Sequence, residues 1–133
     1  MDLDFTSGAR SMYIRDTIGV ARLNGAYVEL NNFEGDATID ATGSVNAEIY
    51  PYEEGLVDIR SNGDCTVYLP EFAPLVIEIE FDPEQESAFT DLGFDDVFLA
   101  DGLYTATRMP GDIVVNIRCP SGQVDLRAHP LSW

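Results

Sequence analysis

The sequence predicts an all-β fold, mainly antiparallel and of sandwich or barrel-like form, with one short helix near residues 83–92. Three observations support this prediction. Apolar and polar residues alternate with a period of two, turn residues separate the alternating runs at short intervals, and one segment alone has the pattern of a helix. A rolled β-solenoid is the alternative arrangement of such strands.

The clearest alternation lies in residues 75–81, where Ile77, Ile79 and Phe81 point to one side and two glutamates point to the other. Residues 112–118 repeat this pattern, and each run is expected to be a half-buried strand. Weaker alternation predicts further strands at residues 27–30, 37–41, 45–49, 57–60, 66–69, 103–109 and 123–127.

Turn residues separate these runs. Asn24-Gly25 lies between two apolar runs and is the strongest hairpin signal in the chain. Further turns are expected at Gly35-Asp36, Gly43-Ser44, Asn62-Gly63-Asp64, Asp101-Gly102, Pro110-Gly111-Asp112 and Pro120-Ser121-Gly122.

The predicted helix has both a start and a stop signal. Asp82 suits the N-cap, Pro83 suits the first helical position, and Gln85 completes a capping box. Apolar residues within 88–92 would form its buried side, and Gly93 would end it. We expect this helix to lie across an end or a side of the sheet.

Length and composition predict one domain, residues 1–133. The chain is 45% hydrophobic, which is enough for a core without disulfides. No apolar run approaches the length of a membrane span, and residues 1–5 lack the basic and apolar regions of a secretory signal. We therefore expect a soluble protein that is made in the cytoplasm, and that resides in the particle if it is a virion component.

Charge is the most unusual property of the sequence. There are 24 acidic residues against seven basic ones, all arginine, which gives a formal net charge of -17. Lysine, ordinarily among the commonest residues, is absent. Concentrated salt screens crowded carboxylates, so the composition indicates a halophilic protein; an acidic protein from a GC-rich genome is the alternative. The acidity argues against binding to nucleic acid or to an anionic membrane.

Few residues suit catalysis. A nucleophilic triad needs a base, and the single histidine, His129, is the fifth residue from the end. Cys65 and Cys119 lack metal-type spacing and are expected to be buried thiols, with a disulfide as the alternative. We predict that the protein is not an enzyme and that it has no cofactor, unless a divalent cation has a structural role.

Two weak candidate sites remain. Asp91, Asp95, Asp96 and Asp101 place four carboxylates in one predicted loop, where they could bind a divalent metal ion, although the ligand spacing of an EF-hand is missing. A solvated acidic surface is the simpler interpretation of these residues. Tyr50 and Tyr52 could line a ligand-binding surface, or could cover an edge of the core.

The last residues form the candidate interface. His129, Pro130, Leu131 and Trp133 include the only tryptophan of the chain, a residue that is enriched at interaction hot spots. The sequence leaves two possibilities for this tail, which could pack on its own sheet or dock on a neighbouring subunit.

An internal similarity links three segments. Residues 57–67 and 115–124 share the order strand, polar glycine corner, strand, and residues 39–45 are a looser third copy. At these residues the chain resembles the adhesin-type β-roll domains, whose rungs carry recurring Ser/Gly-Gly-Asp corners. The resemblance implies a rolled β fold and an adhesive or ligand-binding role, in a family that is mostly exported.

The function expected from the sequence is a structural one. A small β domain without an active site suits a building block that forms a homo-oligomer or docks with other structural proteins, such as a virion head or tail component. An adhesin-like or ligand-binding domain is the alternative, and a metal-assisted enzyme that uses the aspartate loop is a further one.

Overall fold

Twelve strands form one curled, open sheet in the computed structural model, which describes residues 2–6 by their backbone and residues 10–133 in full. None of these residues forms a helix, and therefore none forms a helix long and apolar enough to cross a membrane. The all-β prediction is confirmed. The strands are β1 (Asp2–Thr6), β2 (Ser11–Gly25), β3 (Tyr27–Ala41), β4 (Val45–Tyr50), β5 (Leu56–Ser61), β6 (Cys65–Leu69), β7 (Leu75–Phe81), β8 (Ala88–Phe89), β9 (Asp96–Ala100), β10 (Leu103–Thr107), β11 (Ile113–Cys119) and β12 (Val124–Ala128).

The strands are mainly parallel, so the prediction of a mainly antiparallel sheet is wrong. Of the eleven strand pairings among the described residues, nine are parallel. The hairpin predicted at Asn24-Gly25 is also absent, because β3 lies parallel to β2, with Gly25 opposite Ala41. Alternation determines which side of the sheet a side chain takes, but it carries no information about the direction of the neighbouring strand.

A bend in β2 and β3 divides the sheet into two limbs. Asp16 and Asn32 adopt φ values of 49° and 53° at the bend, and the Asn32 amide donates to Asp16 Oδ1 at 2.9 Å. Gly35 follows with a φ of 137°, and a Cβ there would overlap the carbonyl oxygen of Gly19. The first limb contains residues 11–15 and 27–31 with β4, β6, β12 and β8; the second contains β1, residues 20–25 and 36–41 with β5, β11, β7, β10 and β9.

Alternate side chains from both limbs form one buried core. Leu30 of the first limb and Ile59 and Ile117 of the second are fully buried. Full burial of an aliphatic side chain of this size stabilises a fold by roughly 1.5–3 kcal/mol. The strongly alternating runs at 75–81 and 112–118 are β7 and β11, as predicted.

The last pass of the chain is inserted between earlier strands. In the second limb β11 lies between β5 and β7, and in the first limb β12 lies between β6 and β8. Residues 113–128 therefore complete both limbs at once, and they separate strands that follow one another closely in the sequence.

Glycine corners join the limbs and lie on top of one another. The three similar segments noted in the sequence are neighbours in register, with Ile59 opposite both Ile39 and Ile117. At their corners the Gly63 N–H donates to the Gly43 carbonyl at 2.7 Å. Gly122 packs directly on the Gly63 carbonyl, in space that a Cβ could not share.

The predicted helix at 83–92 is replaced by a single turn and a short strand. Asp82 accepts the backbone N–H groups of Glu84 at 3.0 Å and Gln85 at 3.1 Å, so the capping signal operates locally. The chain then forms β8, which pairs with β12, and the Phe89 ring stacks on Tyr104 with centroids 4.3 Å apart. A ten-residue helix is marginal on its own, so these tertiary contacts decide the structure.

Candidate interaction surfaces

The outermost strand of the second limb is β9. A two-residue turn joins it to β10, with φ values of 48° at Asp101 and 81° at Gly102, both in the left-handed region that type I′ hairpins require. Within the described residues β9 pairs with β10 alone, so its other edge presents unpaired backbone N–H and C=O groups.

Every residue of β9 is exposed, including three consecutive large apolar ones. Val97, Phe98 and Leu99 expose 55%, 57% and 56% of their surface. Val97 lies opposite Ala106 and Leu99 opposite Tyr104, and both of these partners are buried in the core. Val97 and Leu99 therefore lie on the core side of the sheet, but beyond the last buried strand, and both are exposed.

Sequence reasoning missed this strand. Residues 91–101 were predicted to be an acidic loop, whereas their second half is β9. A signal was present, because an apolar run at 97–100 precedes Asp101-Gly102, the dipeptide that favours two-residue hairpins.

The four candidate metal-binding aspartates have different surroundings. Asp91 accepts two backbone N–H groups of the turn that follows it, and Asp95 accepts the Met109 N–H at 2.9 Å. β9 begins at Asp96 and Asp101 follows its last residue, so a strand of this length holds the two about 17 Å apart. Among the described residues no three metal-ligating side chains come together.

The C-terminal tail contacts its own chain. The Trp133 N–H donates to the Glu71 carbonyl at 2.9 Å, and the Trp133 ring stacks on Tyr50 at 5.3 Å between centroids. The Tyr50 hydroxyl donates to the Ser132 carbonyl at 3.2 Å. The structure thus brings together the predicted ligand residue Tyr50 and the predicted interface tail, while Tyr52 lies in the turn between β4 and β5.

His129 anchors this tail from a buried position. Its Nδ1 accepts the Leu131 N–H at 3.0 Å, so the neutral ring carries its hydrogen on Nε2. The Nε2 atom is buried, lies 3.9 Å from Glu48 Oε1 and has no hydrogen-bond partner among the described residues. Burial lowers the pKa of His129 below its ordinary value, and Glu48 opposes the shift. Pro130 and Leu131 are exposed beyond it.

No protein-family model, curated protein or solved structure matches this chain. The resemblance to adhesin-type β-roll domains therefore rests on the sequence pattern of residues 39–45, 57–67 and 115–124 alone. The exposed edge of β9 and the C-terminal tail are the two surfaces that suit an interaction.

The two cysteines are buried free thiols. The Cys119 Sγ donates to the Gly63 carbonyl at 2.9 Å, beside the stacked corners. Burial raises the pKa of Cys65, with a smaller contribution from Cys119, and burial also raises the pKa of Cys119. Raised pKa values disfavour the reactive thiolate, so both residues act as small core groups.

Charge is distributed unevenly along the chain. Residues 1–26 contain three acidic residues and three arginines, whereas residues 27–133 contain 21 acidic residues and four arginines. The formal net charge of -17 therefore lies entirely beyond residue 26. The two edge strands of the second limb both carry carboxylates, Asp2 and Asp4 in β1 and Asp96 in β9.

Proposed function

We propose that this protein is a non-enzymatic structural module that associates with further copies of itself through β9, in an assembly that works in concentrated salt. The observation that carries the proposal is the exposed β9 edge with its three exposed apolar residues. We propose that this assembly is the head or the tail of a virion.

Edge strands of this kind are unusual in isolated proteins. Soluble proteins protect exposed edges with charges, proline or covering segments, because unpaired backbone groups and apolar side chains together form a template for another chain. The charges of β9 lie at its ends, at Asp96 and Asp101, and leave its centre unprotected.

Burial of apolar side chains and backbone hydrogen bonds at this edge would both favour association. Covering the exposed halves of Val97, Phe98 and Leu99 would contribute roughly 1 kcal/mol each. Backbone hydrogen bonds to a paired strand would add about 0.5–1.5 kcal/mol each. These contributions oppose the loss of translational and rotational freedom, so contacts beside the strand are also needed.

Salt should control the association. Copies with a net charge of -17 repel one another in dilute buffer, whereas at 1 M salt the screening length is about 3 Å. We therefore expect larger assemblies in concentrated salt and dissociation on dilution into low salt, if the protein keeps its fold there.

The test is a mass measurement by light scattering or sedimentation at about 3 M KCl and at low salt. The wild-type chain should exceed the monomer mass of 14.6 kDa in concentrated salt. Val97→Thr with Leu99→Thr should restore the monomer, because threonine keeps strand propensity while removing apolar surface.

A matched control distinguishes the loss of the β9 contact from the general effect of replacing exposed apolar residues by polar ones. Leu56 and Val114 are exposed neighbours on the outer side of the second limb, at 42% and 39%. The same change at both, Leu56→Thr with Val114→Thr, should leave the assembly intact. The proposal fails if wild-type protein is monomeric at every salt and protein concentration, or if the β9 variant assembles like wild type.

We also propose that the curled sheet is a short β-solenoid and not a sandwich or a closed barrel. The support is the parallel stacking of successive passes, in which Ser11 of β2 lies opposite Tyr27 of β3 and Val45 of β4 lies opposite Cys65 of β6. Sandwiches, by contrast, are built from antiparallel sheets. NMR contacts of Ile59 with residues of both β3 and β11 are expected, and antiparallel Hα–Hα contacts of β5 with β3 or β11 would contradict the proposal.

Ligand binding is a second candidate function, favoured by aromatic residues on the outer side of the first limb. Five of them share this side, namely Tyr13, Tyr27, Tyr50, Tyr68 and Trp133. Aromatic rings could stack on the apolar side of a sugar. A glycan panel should then show binding that Tyr50→Ala abolishes and Tyr52→Ala preserves; absence of binding to any glycan would remove this candidate.

A further inference from the structure

We propose that copies join head to tail, with β9 of one copy pairing in parallel with β1 of the next. This inference rests on the self-association proposed above and adds the identity of the partner edge. It makes the contact heterologous, since two different surfaces of the chain meet.

Strand direction and length favour this partner. β9 is antiparallel to β10, which is antiparallel to β7, so β9 runs in the same direction as β7. The parallel pairings carry that direction through β11, β5, β3 and β2 to β1. β1 and β9 are both five residues long, and each has one partner among the described residues. Copies stacked without reversal would therefore continue the parallel pattern of the sheet.

Apolar residues are partly or largely exposed at both ends of the sheet. Met12 and Ile14 of β2 lie opposite Val28 and Leu30 of β3, which are fully buried, yet Met12 and Ile14 are partly exposed. Among the described residues, no strand other than β3 pairs with this part of β2. At the other end, Val97 and Leu99 lie on the core side of the sheet and are exposed. Stacking one copy on the next would therefore cover the exposed apolar residues of both ends.

Charge does not separate this contact from a two-fold contact between two β9 strands. A two-fold contact would bring Asp96 and Asp101 of both copies together, with the carboxylate of Asp95 close by. Head-to-tail stacking would bring β9, which begins at Asp96, against β1, which contains Asp2 and Asp4. Like charges across a strand pair oppose both contacts, so strand direction and the exposed apolar residues at the two ends are what favour head-to-tail stacking.

After each further copy joins head to tail, the assembly still has one exposed β9 edge and one exposed β1 edge. The assembly then grows as an open stack or closes as a ring, and it does not stop at a symmetric dimer. Its mass should rise continuously with protein concentration if the stack is open.

Complementation between two variants tests the inference at about 3 M KCl. One variant, Val97→Thr with Leu99→Thr, has a defective β9 end, and the other, Met12→Thr with Ile14→Thr, has a defective opposite end. Each alone should associate at least about tenfold more weakly than wild type. Mixed together they should form a dimer with one copy of each, because one intact end of each kind remains; differently tagged chains identify it by mass.

The outcomes separate the two proposals. If the Met12/Ile14 variant forms dimers alone and mixing adds no mixed dimer, β9 pairs with itself and the head-to-tail inference is overturned, while self-association stands. If wild-type protein never associates, both fail. Circular dichroism checks that each variant folds. Should the Met12/Ile14 variant unfold, deletion of residues 1–6, which removes β1, replaces it and should give the same mixed dimer.

Discussion

Replacing Gly122 by alanine should destabilise the fold strongly, because the position has no space for a side chain. A Cβ there would overlap the Gly63 carbonyl oxygen and lie 2.5 Å from its carbon and 2.9 Å from Asp64 N. Ordinary contacts of a Cβ are 3.4 Å or longer, and all three neighbours are backbone atoms. The corner between β11 and β12 would have to move by about 1 Å away from the corner beneath it.

The expected size of the effect follows from what that movement disrupts. The Gly63 carbonyl accepts the Cys119 thiol at 2.9 Å and the Ser61 hydroxyl at 3.1 Å. Weakening both bonds costs about 1 kcal/mol each, and overpacking costs about 1–3 kcal/mol. The total of roughly 3–5 kcal/mol is a large part of the roughly 5–15 kcal/mol that stabilises an ordinary domain.

Thermal unfolding in constant concentrated salt, followed by circular dichroism, measures the effect. A loss of this size should lower the Tm by roughly 10–20 °C in a chain of this length. Ser121→Ala is the control, since it changes an exposed neighbour at the same corner without adding an atom, and its Tm should stay near that of wild type. A Gly122→Ala variant that melts within about 3 °C of wild type would refute the stacked-corner geometry.

Three further predictions concern the buried polar groups and the tail. Because the folded state favours neutral His129, stability should fall as the pH drops below the ordinary value of 6.5 towards the lowered folded pKa, and His129→Gln should remove this dependence in pH-dependent denaturant titrations. Cys65 and Cys119 should react with a thiol reagent at least about a hundredfold more slowly in the folded than in the unfolded chain, and a fast folded-state reaction would contradict their burial. Trp133→Ala should cost about 1–2 kcal/mol through loss of the stack on Tyr50, seen as a lower Tm, and an unchanged Tm would mean that the tail is not docked.

The sequence predicted which residues form strands better than how the strands are arranged. In β7 the alternation of Ile77 and Ile79 with glutamates identifies both the strand and its buried side. The partner of Ile59 could not be predicted, because Ile117 lies far along the chain, after five intervening strands, and any strand with matching alternation fits equally well. Parallel and antiparallel partners place the same side chain on the same side of a sheet.

The two local errors have a common physical cause. The capping signal at Asp82 forms one turn, and the hairpin signal at Asn24-Gly25 forms a corner, because pairing with distant strands outweighs local preference. The β9 surface was missed for the opposite reason. Its apolar run was assigned to an acidic loop, although Asp101-Gly102 marks the hairpin that contains it.

The inserted position of residues 113–128 has a consequence for synthesis on the ribosome. While the nascent chain lacks this segment, β5 and β6 each miss a final neighbour, and β7 and β8 cannot reach their final places in the sheet. Contacts such as Val57 with Val115 join distant parts of the chain, and closing them late makes folding slow. Emergence of this segment from the ribosome is therefore the step at which cooperative folding becomes possible, and a chaperone that shields β5 and β6 until then would raise the yield.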